Sequence, residues 1–152
     1  MANTYVQIYL HYVFAVHNRD CAIMPEWKDE LYKYITGIVT NQRQRLYAIG
    51  GMYDHVHMLV SMSPSTSPSD LMAEVKRSSS RWINEKHFVI GRFAWQEGYG
   101  AFSYAQSQLN SVTKYIEAQE EHHRNRTFRE EYISMLQSFN IEYDERYVFK
   151  DV

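Results

Sequence analysis

The sequence predicts an α+β fold in the order β-α-β-β-α-β followed by two helices, and three observations carry that expectation. Tyr5 to Val16 and His55 to Met62 alternate with the two-residue period of a strand. Leu31, Tyr34, Ile35 and Ile38 recur at helical spacing, and Pro25 and Pro68 stand where helices open. Two strands between two helices, closed by a last strand, make the ferredoxin-like plan: an antiparallel sheet, here with C-terminal helices added.

Each element has its own signal. In the first strand Val6, Ile8, Leu10, Tyr12 and Phe14 share one face. After a loop over residues 18–24, the first helix runs from Pro25 to about Asn41. Leu46 to Met52 and His55 to Met62 form a hairpin turned at Tyr53 and Asp54, with Gly50 and Gly51 offering a bulge. Ser67 caps a second helix that starts at Pro68, gains from Asp70 at its positive end and reaches about Lys86. Phe93 to Tyr104 is a fourth strand, interrupted near Gly98 and Gly100. Ser107 or Asn110 caps the next helix, through Tyr115 and Gln119. Thr127 and Glu130 have the spacing of a capping box opening a last helix with an apolar stripe of Tyr132, Met135, Leu136 and Phe139. The tail from Ile141 to Phe149 reads as extended and acidic.

At 152 residues the chain is expected to be one domain over residues 1–152. It has no apolar run of membrane-spanning length and no secretory leader pattern in residues 1–18, which predicts a cytoplasmic protein. A lone cysteine, Cys21, excludes an internal disulfide and a thiolate zinc cluster. The net charge of −2 argues against coating duplex nucleic acid by charge alone. Residues 40–100 nevertheless carry seven basic against five acidic groups. Arg43, Arg45, Lys76, Arg77 and Arg81 lie in that stretch. They are candidate backbone-phosphate contacts, and equally an ordinary solvated face.

The chemical candidates centre on His55 and His57. Strand periodicity puts both imidazoles on one face and Val56, Met58 and Val60 on the other, so the pair can share one metal ion. A lone His-x-His is also common as ordinary sheet polarity. Tyr115 and Gln119, four apart in a helix, leave the same helix face. Tyr115 could be one of thirteen packing tyrosines, or a hydroxyl nucleophile activated by a nearby cation. Two imidazoles and the Gln119 amide oxygen would leave coordination positions open for phosphate, which suits Mg²⁺ or Mn²⁺. Lys114 precedes the tyrosine and is a further candidate DNA contact. His122 and His123 could supplement Gln119 or simply be exposed helix histidines.

These motifs together resemble a family. Asp54-His55-Val56-His57-Met58-Leu59-Val60, the Leu71, Val75, Lys76, Ser79, Ser80 and Trp82 pattern, Trp95-Gln96-x-Gly98-Tyr99, and Val112-x-Lys114-Tyr115-Ile116-x-x-Gln119 are similar to the single-tyrosine HUH transposases of the IS200-like group. The resemblance implies His55 and His57 as the HUH histidines, Gln119 as third metal ligand and Tyr115 as nucleophile. It implies cleavage and rejoining of single-stranded DNA through a 5′-phosphotyrosine link, and subterminal hairpin recognition. It also implies a homodimer in which a tyrosine helix could complete the partner's site. A domesticated relative acting on repetitive palindromic DNA would share these residues. A non-catalytic nucleic-acid-binding module would make Tyr115 a stacking or packing residue. A histidine-triad hydrolase would need histidine where Leu59 stands.

Overall fold

The computed structural model describes residues 3–122 and 125–152, the side chain of His122 excepted. Its elements are β1 (Ile8–Ala15), α1 (Pro25–Asn41), β2 (Arg45–Met52), β3 (His55–Met62), α2 (Pro68–Lys86), β4 (Gly100–Tyr104), α3 (Leu109–Glu117), α4 (Gln119–His122) and α5 (Phe128–Ser138). The four strands form one sheet in the order β2-β3-β1-β4, antiparallel throughout. This is the expected α+β, ferredoxin-like arrangement with C-terminal helices. No described helix is long and apolar enough to cross a membrane.

The sheet is covered on both faces, which decides where the chemistry lies. One face carries Tyr12, Phe14, Val56, Met58 and Val60, packed with Leu31, Ile35, Leu71, Val75 and Ile83 of α1 and α2 in the main core. The other carries Val13, Ala15 and Phe102 against Phe128, Tyr132 and Leu136 of α5, and Tyr9, Ala48 and Leu59 against Val112 and Ile116 of α3. Between these two smaller clusters lie the buried polar residues His11, His55 and His57.

The boundaries of α1 and α2 fall where the sequence puts them, because both helices open on proline and Ser67 Oγ accepts from the Asp70 amide. The first strand is shorter than expected. Its pairing starts at Ile8 opposite Met62, so Tyr5 and Val6 find no neighbouring strand and stay exposed. The fourth strand is also shorter: of residues 93–99 only Trp95 bridges to Val16. There Lys76 Nζ donates to the carbonyls of Gln96 and Gly98, drawing the segment to α2.

The register irregularity of β2 falls between Leu46 and Ala48, where Tyr47 turns out to meet the Arg45 guanidinium, and not at the glycine pair. Gly50 has a different role: a Cβ there would collide with the Ile116 carbonyl, so glycine lets α3 lie directly on β2. Neither Ser107 nor Asn110 caps α3. A 3₁₀ turn over Gln106–Gln108 leads in, and Gln108 Oε1 accepts the Ala105 amide. The expected single helix through Tyr115 and Gln119 breaks at Ala118. The capping box of Thr127 and Glu130 opens α5 as expected. The tail is largely extended, with a 3₁₀ turn at Glu145–Tyr147; Val148 and Phe149 pack under α5, and Arg129 donates to both of their carbonyls.

Candidate active site

β3 positions both imidazoles. Antiparallel pairing sets His57 opposite Val13 and His55 opposite Ala15, so the rings emerge on the face covered by α3 and α5. His11, one pleat along β1 from Val13, emerges on that face too. All three rings are fully buried. The His55 ring stacks on Phe128, with centroids 4.1 Å apart and planes 10° apart.

The ring nitrogens divide into anchoring and inward sets. His55 Nδ1 lies 2.7 Å from Asp54 Oδ1, and His57 Nδ1 lies 2.7 Å from His11 Nε2. The two Nε2 atoms face a single carboxylate: Glu131 Oε1 is 3.2 Å from His57 Nε2 and 3.7 Å from His55 Nε2. Gln119 Oε1 is 2.8 Å from His55 Nε2. On the far side of the same carboxylate, the Tyr115 hydroxyl donates to Glu131 Oε2. The helix break at Ala118 helps place Gln119, whose Nε2 donates to the Tyr115 carbonyl over 3.3 Å.

Burial foremost, then the Glu131 charge and hydrogen bond, hold the Tyr115 hydroxyl well above the ordinary tyrosine pKa; Arg126 works the other way. At neutral pH Tyr115 is therefore a protonated phenol pointed at a base. His11 is pushed the opposite way, well below the ordinary histidine value, by desolvation first and the His57 charge second, with Glu131 opposing.

This donor set fits a divalent cation. His55, His57 and Glu131 each offer one ligand atom, all within 4.8 Å of one another and all buried. With Nδ1–H given to Asp54, His55 turns its Nε2 toward the oxygens of Gln119 and Glu131. Two imidazole nitrogens, an amide oxygen and a carboxylate converging on one point form a ligand set that suits a divalent cation, and ligand atoms about 2.1 Å from one ion stand roughly 3 Å apart.

The structure thus brings together His55, His57, Tyr115 and Gln119, and adds three residues to which the sequence assigns no part in the chemistry: Glu131, His11 and Asp54, the last expected only in the hairpin turn. His123 and the His122 side chain lie outside the described residues. Five of the six candidate DNA contacts lie elsewhere. Lys76, Arg77 and Arg81 are on α2, across the sheet from the site; Lys76 is tied to two carbonyls, and Arg77 and Arg81 pair with Glu74 and Glu85. Arg43 and Arg45 stand at the end of the hairpin far from His55, where Arg45 is opposite Ser61. Lys114 alone among them is beside the tyrosine, exposed on α3.

Residues 4–119 match the family described as IS200-like transposases, which covers well over half of the chain. The chain belongs to that transposase family. Membership implies a DNA-cleaving enzyme. This transposase is 25% identical over 118 residues to the ISDra2 transposase TnpA of Deinococcus radiodurans, covering 74% of the chain and 84% of that relative. Two solved structures share its fold. One, a proposed transposase from Deinococcus radiodurans R1, has a TM-score of 0.61 at 22% identity and covers 78% of this chain and 95% of its own. The other, a REP-associated tyrosine transposase bound to a REP hairpin, has a TM-score of 0.61 at 11% identity, with 100% of this chain and 98% of its own covered. The family match ends at Gln119, so Glu131 and α5 lie beyond it.

Proposed function

We propose that this transposase cleaves and rejoins single-stranded DNA at insertion-sequence ends through a 5′-phosphotyrosine intermediate. The observation that carries the reading is the Tyr115 hydroxyl meeting Glu131 beside two inward imidazole nitrogens. In the cleavage step the Tyr115 oxygen forms a bond to the scissile phosphorus and the bond from phosphorus to the 3′ oxygen breaks. The phenol proton passes to Glu131 Oε2, and the departing 3′ oxygen takes a proton from water. One phosphodiester replaces another, so the strand can be rejoined by the reverse attack of a 3′-hydroxyl without an energy source.

The raised pKa of the phenol leaves little phenolate beforehand, and the Glu131 carboxylate that accepts its hydrogen bond is the base proposed to take the proton. Burial fixes Glu131 and the histidines relative to one another, and the half-buried Tyr115 is held to them by its hydrogen bond to Glu131, which supplies the orientation that in-line attack needs. His55, His57, Gln119 and Glu131 would hold Mg²⁺ or Mn²⁺, which supplies Lewis-acid polarisation of the scissile phosphate when bound. Lys114, exposed next to Tyr115, suits a backbone contact close to the cut.

The DNA partner proposed is a single strand carrying a hairpin, and the assembly a homodimer. A second reading, a domesticated enzyme acting on repetitive palindromic DNA, is favoured by the full-length structural likeness to the REP-associated transposase, which extends over α5 and the tail.

The test is incubation with 3′-labelled, hairpin-bearing single strands from the gene's own flanks, followed by denaturing electrophoresis. A covalent protein–DNA band that vanishes in Tyr115→Phe while hairpin binding persists supports the proposal. An adduct surviving in Tyr115→Phe contradicts it.

A further inference from the structure

We propose that His11 is a positioning residue for the metal site: it accepts the Nδ1 proton of His57, and the two imidazoles change tautomer together when a cation enters. The inference rests on the reading of His55, His57 and Glu131 as a metal site.

The geometry leaves few options. His11 Nε2 and His57 Nδ1 are 2.7 Å apart, a separation that holds one proton: one nitrogen donates and the other accepts. In the first arrangement His11 Nε2–H donates to His57 Nδ1, and His57 Nε2–H donates to Glu131 Oε1 at 3.2 Å. Each of these N–H groups then has an acceptor, and His11 Nδ1, which has no hydrogen-bond partner among the described residues, carries no proton. This arrangement closes the His57 nitrogen to metal. In the second, His57 Nδ1–H donates to His11 Nε2, and His11 carries its own proton on Nδ1. His57 Nε2 is then a lone pair aimed where His55 Nε2 is aimed. Only the second can ligate, and with both rings neutral each keeps one proton, so the exchange between these two arrangements needs no net proton uptake.

His55 is built differently. Its Nδ1 faces Asp54, and a carboxylate can only accept, so a proton is fixed on Nδ1 and Nε2 is the nitrogen directed at the site. His57 is paired with a group that can donate or accept, which makes it the adjustable ligand. His11 cannot turn away to release it: its ring lies among Phe102, Tyr104 and Tyr115 at centroid distances of 6.1–6.4 Å and has no solvent exposure. The second arrangement leaves a buried N–H on His11 Nδ1 unsatisfied, so part of the cation's binding energy is spent in moving the pair.

The test is long-range proton–nitrogen NMR of the full chain labelled with ¹⁵N-histidine, titrated with Mg²⁺, which separates Nδ1–H from Nε2–H rings. The expected result is Nε2–H for His11 and His57 without metal, Nδ1–H for both at saturation, and Nδ1–H for His55 throughout. Metal-induced changes at His55 with His11 still Nε2–H would overturn this inference alone. No response at any of the three rings would overturn the metal reading and this inference with it. As a second measurement, Mn²⁺ affinity by electron paramagnetic resonance should fall about tenfold or more in His11→Phe, which keeps the ring volume and removes the acceptor. It should return to within about threefold in His11→Gln, whose amide oxygen accepts from His57 Nδ1–H. Equal losses in the two variants, with melting temperatures preserved, would overturn it.

Discussion

Tyr115 donates its hydroxyl proton to Glu131, sixteen residues later on a separate helix, and the other oxygen of that carboxylate faces His57. One side chain thus connects the proposed nucleophile to the proposed metal site. Glu131→Gln keeps the shape but removes the charge and the base. The account predicts a loss of about 10²-fold or more in cleavage and about tenfold in Mn²⁺ affinity, with melting temperature little changed. Single-turnover kinetics and calorimetric titration measure both. Cleavage at the unmodified rate would remove Glu131 from the chemistry.

Chelation should separate binding from cutting. With excess EDTA, hairpin affinity is expected to persist while adduct formation falls to background, and added Mn²⁺ or Mg²⁺ should restore it. Undiminished cleavage in chelator would rule out the metal-assisted scheme.

Gly50 governs how closely α3 lies on β2, because any Cβ there meets the Ile116 backbone. Gly50→Ala must push the helix outward, carrying Tyr115 from Glu131. The expected cost is about 1–3 kcal/mol in denaturant unfolding, together with a fall in adduct yield larger than the fall in DNA binding. A variant with native stability and native cleavage would show that this close approach is dispensable.

Lys76 is a structural clamp in this account. Burial, opposed by Glu97, lowers its pKa from the ordinary 10.5 to about 8. Between those values the unfolded chain holds the proton more tightly than the folded one. The charged lysine therefore costs stability below about pH 8, and that cost fades as pH rises toward 10.5. The stability of the unmodified chain relative to Lys76→Met should accordingly increase from pH 7.5 to pH 10, with hairpin affinity unchanged within about twofold. A relative stability that falls over that range, or a large loss of DNA affinity with the fold intact, would contradict this role.

The imidazole pair, the tyrosine and the glutamine were legible because a strand's period of two and a helix's period of 3.6 fix which side chains share a face. His11 was obscured by the same rule. Periodicity assigned β1 one apolar face, that of Ile8, Leu10, Tyr12 and Phe14, whereas Tyr9, Val13 and Ala15 line a second buried face with His11 between them. Three apolar neighbours at alternate positions were the available sign. Glu131 carried a similar one: it sits three residues after Phe128 and one before Tyr132, an acid inside the apolar stripe of α5. The basic residues of α2 could not be placed from sequence, because charge on a helix does not say which face of the sheet that helix covers.

The central claim is that a phenolic oxygen and a cation held by two imidazoles converge on one phosphate. Its most direct test is anomalous diffraction from crystals grown with Mn²⁺. The account predicts a peak about 2.0–2.3 Å from the Nε2 atoms of both His55 and His57, with Glu131 or Gln119 oxygen in the same shell and the Tyr115 hydroxyl adjacent. Saturating Mn²⁺ with no peak at these imidazoles, or a peak at their Nδ1 atoms, would contradict it.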